Sequence, residues 1–179
     1  MSKKIIFTSG GTGGHIFPAI NLMNHFSTKG YEALLVTDQR GNFFLRDSVK
    51  FKSYIISSDT PINKNFFKKI MSFFIIFFSI IKSILILKKE KPDLVIGFGG
   101  YVSFPISFAT KFFSIPLIIY ENNLILGRTN KYLLEVAKKL IIATATPLNL
   151  PKKYESKVYK TGAILNKSII NYLYENKKK

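Results

Sequence analysis

Cysteine is missing from the chain altogether. Its absence removes disulfides, thiolate zinc sites and a cysteine nucleophile together, and fits a reducing cytosol. Acidic side chains are scarce as well: 10 Asp and Glu stand against 27 Lys and Arg, a formal net charge of +17. That imbalance invites an anionic partner, whether nucleic acid, an acidic membrane leaflet or a phosphorylated ligand. A compositional drift towards Lys, Asn, Ile and Phe explains it equally well, so charge alone selects no function. After Lys3 and Lys4 the chain runs straight into a strand-like Ile5-Ile6-Phe7, and no secretory signal is expected. There is no internal repeat. No nucleic-acid-binding motif accompanies the lysines, and the aromatic residues sit in apolar stretches instead of alternating with basic ones, which ranks nucleic-acid binding last.

What is present in abundance is apolar surface. Apolar residues make up 47% of the 179, which excludes disorder and suits one domain with a proper core. Short apolar runs at 4–8, 33–37, 54–56, 94–97, 117–120, 140–143 and 158–161 read as strands. Longer stretches at 17–29, 65–89, 103–113, 127–137 and 167–176 read as helices between and after them. Alternation of this kind predicts an α/β fold, a Rossmann-like parallel sheet flanked by helices. Pro92 ends the longest helix, and Gly30 stands where a helix C-cap belongs. Residues 1–163 are expected to form the domain, and 164–179 a C-terminal helix with a basic tail.

Glycines gather where two of these strands end. After the first comes Ser9-Gly10-Gly11-Thr12-Gly13-Gly14-His15-Ile16-Phe17-Pro18. Four glycines in five positions let the backbone turn tightly and bare successive N–H groups. The helix that follows adds its positive end, so a diphosphate is a natural guest. The pattern is neither G-x-G-x-x-G nor a Walker loop, since no Gly-Lys-Ser/Thr follows. His15, at a helix N-terminus, would be held neutral by the helix dipole and could take a proton from a sugar hydroxyl; an orienting or capping histidine is the plainer alternative. The fourth strand ends in Gly97-Phe98-Gly99-Gly100-Tyr101-Val102-Ser103-Phe104-Pro105, and the fifth in Tyr120-Glu121-Asn122-Asn123 ahead of Gly127-Arg128-Thr129-Asn130. Ligands of open parallel sheets bind beyond the carboxyl ends of the strands, where all three clusters lie.

These runs resemble, in order and spacing, the G-G-T-G-G-H-x-x-P, G-x-G-G-Y-x-S-x-P and E-Q-N…G-x-T-N elements of the MurG-type N-acetylglucosaminyltransferases of glycosyltransferase family 28. The similarity extends from Lys4 to about Gly162. It implies one half of a two-domain GT-B enzyme that needs no metal or cofactor. The N-terminal half would bind a lipid-linked muramyl-pentapeptide diphosphate, and a C-terminal half most of the UDP-N-acetylglucosamine. N-acetylglucosamine would pass with inversion to the muramyl C4 hydroxyl, a step of peptidoglycan synthesis at the cytoplasmic face of the plasma membrane. By the same resemblance His15 is the candidate base. Gly11, Thr12, Gly13 and Gly14 would approach phosphate and sugar, with Gly99, Gly100 and Ser103 in the second loop. Asn123 would contact the donor sugar, and Tyr101, Glu121 and Asn130 would shape the acceptor side.

The departures are Tyr120 where the family has His, Asn122 where it has Gln, and Gly162-Ala163-Ile164-Leu165-Asn166 where G-N-P-V-R is expected, which removes a donor-contacting arginine. No donor-binding half is recognisable in the 179 residues, so a longer enzyme or a partner chain is expected to supply it. Two other functions remain open at this stage. One is a nucleotide-binding module using Asp38, at the end of the second strand, to hold a ribose; the other is a non-catalytic membrane-bound subunit. The stretch 66–89 adds a membrane question. Its apolar part, 70–87, has the length of a marginal span, yet Lys68, Lys69, Ser72, Ser79, Lys82 and Ser83 form a narrow polar stripe at helical spacing. A buried helix, an interfacial helix on anionic headgroups and a true span are the three readings.

Overall fold

The computed structural model describes residues 2–45, 51–62, 64–166 and 169–170. Seven strands form one sheet: β1 (Lys4–Thr8), β2 (Glu32–Thr37), β3 (Lys52–Ile55), β4 (Leu94–Gly97), β5 (Leu117–Glu121), β6 (Lys139–Ile142) and β7 (Val158–Lys160). Every pairing is parallel, in the order β3-β2-β1-β4-β5-β6-β7. Helices α1 (Gly13–Thr28), α2 (Gln39–Phe43), α3 (Phe66–Glu90), α4 (Ser103–Ala109) and α5 (Arg128–Leu133) fill the crossovers. The chain is therefore a doubly wound α/β domain, as its alternating pattern predicts. The order reverses between β1 and β4, and at such a switch point the following loops diverge and leave a crevice.

Strand alternation divides the core in two. Ile5 and Phe7 of β1, Leu35 of β2 and Ile96 of β4 face α1, packing on Ile16, Ala19, Ile20 and Met23. Ile6, Leu34, Val36 and Val95 face the opposite way, towards α3, α4 and α5. The elements differ from expectation at their ends. Helix α1 begins at Gly13, inside the glycine loop, with Thr12 as its N-cap residue. Helix α4 stops at Ala109 and continues only as a 3₁₀ turn, Thr110–Phe113. Helix α2 is additional, started by Asp38, whose carboxylate accepts from the Gly41 N–H at 2.8 Å. Most of the C-terminal helix expected at 167–176 lies outside the described residues.

Helix α3 is turned in an unexpected direction. Ser72, Ser79 and Ser83 are buried against the domain, while Phe66, Phe67, Phe73, Phe74, Phe77 and Phe78 are 58–78% exposed. The serine hydroxyls find partners at close range: Ser72 with Asp59, Ser79 with the Ser57 carbonyl, Ser83 with the Ser79 carbonyl. Small residues let the helix approach its neighbours closely, and hydrogen bonding removes the cost of burying their oxygens. The polar stripe of the sequence thus splits, its serines inward and Lys68, Lys69 and Lys82 outward. A plain core helix is excluded for the first two-thirds of α3. By length and composition α3 could cross a membrane, but it is the crossover joining β3 to β4, and its last turns bury Ile86, Leu87 and Glu90.

Candidate functional site

The two glycine loops meet at the switch point. The Gly10 N–H donates to the Gly99 carbonyl at 3.1 Å. A methyl placed on Gly100 would come within 2.9 Å of the Gly10 Cα, closer than real contacts allow. Gly99 and Gly100 also have φ of +88° and +79°, the left-handed region in which side chains are strained. Glycine is therefore required here twice over, for conformation and for contact between two backbones. Gly11 is confined as well, since a side chain there would collide with Asp38 and Arg40. Gly14 is the opposite case: exposed, in the first turn of α1, with nothing within 4 Å of an added methyl.

His15 follows in that same turn, and its ring lies over the second loop. A methyl on Gly99 would be 3.2 Å from the imidazole Cε1 and 3.5 Å from Asn130 Nδ2. Imidazole, glycine loop and α5 are thus neighbours. A cavity of about 180 Å³ opens here, bordered by His15, Gly99, Gly100, Tyr101, Glu121, Asn123 and Asn130, together with Gly127, Arg128 and Thr129. Thr12 makes no side-chain cap, so the amide end of α1 stays available to an outside acceptor.

Glu121 organises the third cluster from within. It is buried at the end of β5 and its carboxylate receives five donors. The N–H groups of Asn122, Asn123 and Gly127 reach it at 3.1, 3.0 and 2.9 Å, and the amides of Asn123 and Asn130 at 2.8 and 3.0 Å. A carboxylate so fully engaged holds the 121–130 loop in shape. Asn130 also donates to the Tyr120 carbonyl at 3.1 Å. Its Oδ1 is buried beside the cavity and has no partner among the described residues, an acceptor that calls for a donor. Ser103 lies outside the cavity; its buried hydroxyl donates to the Gly100 carbonyl at 2.9 Å and braces the second loop.

Other expected positions resolve differently. Tyr120 is buried against Phe98, with ring centroids 5.4 Å apart, and its hydroxyl accepts from the Ile164 N–H at 3.2 Å. Burial pushes its phenol above the usual range. It therefore ties the chain beyond β7 to the sheet. Asp38 is engaged with Gly41 and with Arg40, at 3.1 Å, instead of standing free for a ribose. Arg128 and Thr129 border the cavity without having been singled out by their residue type. Their place in the run 127–130, which resembles G-x-T-N and opens α5, is the signal that could have found them.

The Glycosyltransferase family 28 N-terminal domain matches residues 5–142. A relative from Rickettsia conorii, named UDP-N-acetylglucosamine–N-acetylmuramyl-(pentapeptide) pyrophosphoryl-undecaprenol N-acetylglucosamine transferase, is 36% identical over 167 residues, 93% of this chain and 43% of its own length. A protein of the same name from Wolbachia sp. subsp. Brugia malayi is 40% identical over 143 residues, 80% of this chain and 39% of its own. The crystal structure of MurG from Acinetobacter baumannii superposes with a TM-score of 0.75 at 27% identity, covering 92% of this chain and 47% of that one. The chain spans less than half the length of each of these proteins.

Proposed function

Because this chain belongs to glycosyltransferase family 28, as its N-terminal domain, we propose that it is the acceptor-binding half of an inverting transferase that moves N-acetylglucosamine from UDP to a muramyl-pentapeptide pyrophosphoryl lipid. One observation carries the reading: two glycine loops in backbone contact at the switch point, with the His15 ring lying over them. The bared amides and the end of α1 would hold pyrophosphate. Asn130 Oδ1, buried and without a partner among the described residues, would accept from a sugar hydroxyl or amide. The muramyl C4 hydroxyl would attack the anomeric carbon of the donor sugar from the face opposite UDP. His15 takes the hydroxyl proton as the new bond forms, and UDP leaves with the electron pair of the broken C1–O bond. Asn123 faces the donor side, and Glu121 acts by holding Asn123 and Asn130 in place. No step calls for a metal or cofactor.

The domain would work against the membrane. The phenylalanine face of α3 is flanked by exposed Lys68, Lys69, Lys88 and Lys89, and extended by Phe112 and Lys111 beyond α4. Apolar rings beside lysines suit the headgroup layer of an anionic leaflet, the cytoplasmic face in this reading. A donor-binding half, on the same polypeptide or on a partner chain, would close the cleft.

The test is transfer from labelled UDP-N-acetylglucosamine to a short-chain lipid acceptor. The 179 residues alone should give no turnover. Joined to the donor-binding half of the Rickettsia conorii relative they should, and His15→Ala should then lower kcat by roughly 10²–10⁴-fold. Full activity of that variant would remove the base from the mechanism.

A further inference from the structure

A second cavity, of about 350 Å³, lies beside the polar one and shares Tyr101, Arg128 and Thr129 with it. Its size is at the lower end of small-molecule sites, roughly 300–1,000 Å³. Past the shared wall the chemistry changes. Ile62 of the loop after β3, Phe73 and Ile76 of α3 and Phe104 of α4 line it, with Tyr132 beside them. Asp59 also borders it, but that carboxylate is tied to Lys64 and to the Ser72 hydroxyl, and the Lys64 ammonium holds it below the usual carboxylate range. Phe73 belongs equally to the exposed face of α3. The cavity therefore leads from a polar, cation-edged site to the most apolar surface of the domain.

A ligand that fills both compartments has an anionic head and an apolar tail attached directly to it. We infer that the second cavity holds the first isoprene units of the acceptor's polyprenyl chain, with Arg128 at the junction beside the pyrophosphate. The inference rests on the reading of the polar cavity as the pyrophosphate site. It adds a specificity: the domain grips the lipid next to the reacting head instead of leaving the whole chain in the bilayer. The wall supplies apolar contact on the α3 and α4 sides, and the guanidinium supplies the charge complement at the mouth.

The chain contains no tryptophan, so Tyr132→Trp places a single reporter at an exposed ring position beside the cavity. Farnesyl diphosphate should shift its emission to the blue, and inorganic pyrophosphate should not. By calorimetry, affinity should rise from pyrophosphate through dimethylallyl to geranyl diphosphate by about tenfold or more per isoprene unit buried, then level off as the cavity fills. Ile76→Trp, which fills the cavity, should abolish that gain while leaving pyrophosphate binding unchanged. Phe77→Ser, on the open face of α3 and outside the cavity, should preserve it. Equal affinity for pyrophosphate and farnesyl diphosphate would overturn the inference but leave the pyrophosphate site standing; binding of neither would overturn both. Loss of the gain in Phe77→Ser but not in Ile76→Trp would place the tail on the open helix face instead. A response to dodecyl phosphate equal to that of farnesyl diphosphate would assign the cavity to membrane lipid.

Discussion

A methyl group at Gly100 meets the Gly10 backbone and a φ of +79°, whereas one at Gly14 meets open space at the amide end of α1. The two positions separate what glycine does for the fold from what it does for a ligand. Gly100→Ala should cost about 2–4 kcal/mol in a denaturant titration, from left-handed strain plus the clash. Gly14→Ala should leave stability equal or raise it by about 0.5–1 kcal/mol, since alanine suits a helix better. Yet it should weaken pyrophosphate binding, because its methyl would project where the ligand approaches. Unaltered binding would move the ligand away from the first loop. At this scale His15 and Tyr101 are legible in the sequence because they follow glycine-dense turns, and Asn123 and Asn130 because they stand in the run that resembles the E-Q-N…G-x-T-N element. Arg128 gives no comparable signal in a chain with 27 Lys and Arg; only the turn into α5 brings it to the cavity. The role of Glu121 is likewise visible only once its five donors are in view.

Helix α3 carries the element-scale lesson. Spacing alone groups Lys68, Lys69, Ser72, Ser79, Lys82 and Ser83 into one polar stripe, which the structure splits, because a spacing has no label saying which side faces water. Ordinarily polar means outward; here close packing against α4 and the loop after β3 draws the serines in and leaves the rings out. Liposome flotation should recover the chain with vesicles containing anionic lipid and much less with neutral ones. Phe74→Ser combined with Phe78→Ser should reduce recovery in both, because both rings are exposed and their removal costs the fold little. Equal partitioning of the double variant and the parent would assign the exposed face to another partner. The order of strands and helices, by contrast, is readable from periodicity, because each β-α unit alternates an apolar run with an amphipathic one. The helix ends are less so: α1 begins at Thr12 through backbone conformation with no side-chain cap, and α2 begins where the Asp38 carboxylate accepts from the Gly41 N–H.

Across the whole molecule, the two edges of the sheet hold different chemistry. The carboxyl edge carries the glycine loops; the amino edge is closed by Glu90, buried at the end of α3. Its carboxylate receives Lys52 at 2.7 Å, Lys4 at 3.0 Å and the Tyr54 hydroxyl. These join β1, β3 and α3 at one point. Burial pushes the Glu90 pKa up, but the hydrogen bonds from Lys52, Tyr54 and Lys4 outweigh it and hold it at about 2, against 4.5 ordinarily. A folded pKa below the unfolded one gives stability that is complete above pH 4.5 and disappears as pH falls towards 2. Glu90→Gln should therefore cost about 2–3 kcal/mol at pH 7 and flatten the decline of stability through that acid window, measured by chemical denaturation. An unchanged slope would mean that other groups govern acid unfolding. The doubly wound architecture is legible from the chain because every local pattern agrees with it. This lysine-clamped carboxylate is not, because Lys4, Lys52 and Glu90 are far apart in sequence and have no motif in common.

The outward-facing rings of α3 carry a practical corollary for handling the protein. A broad oily strip on an otherwise cationic particle is a colloidal liability in plain buffer. Mild surfactant micelles, by wetting that strip, should keep the polypeptide dispersed at concentrations where it otherwise clumps.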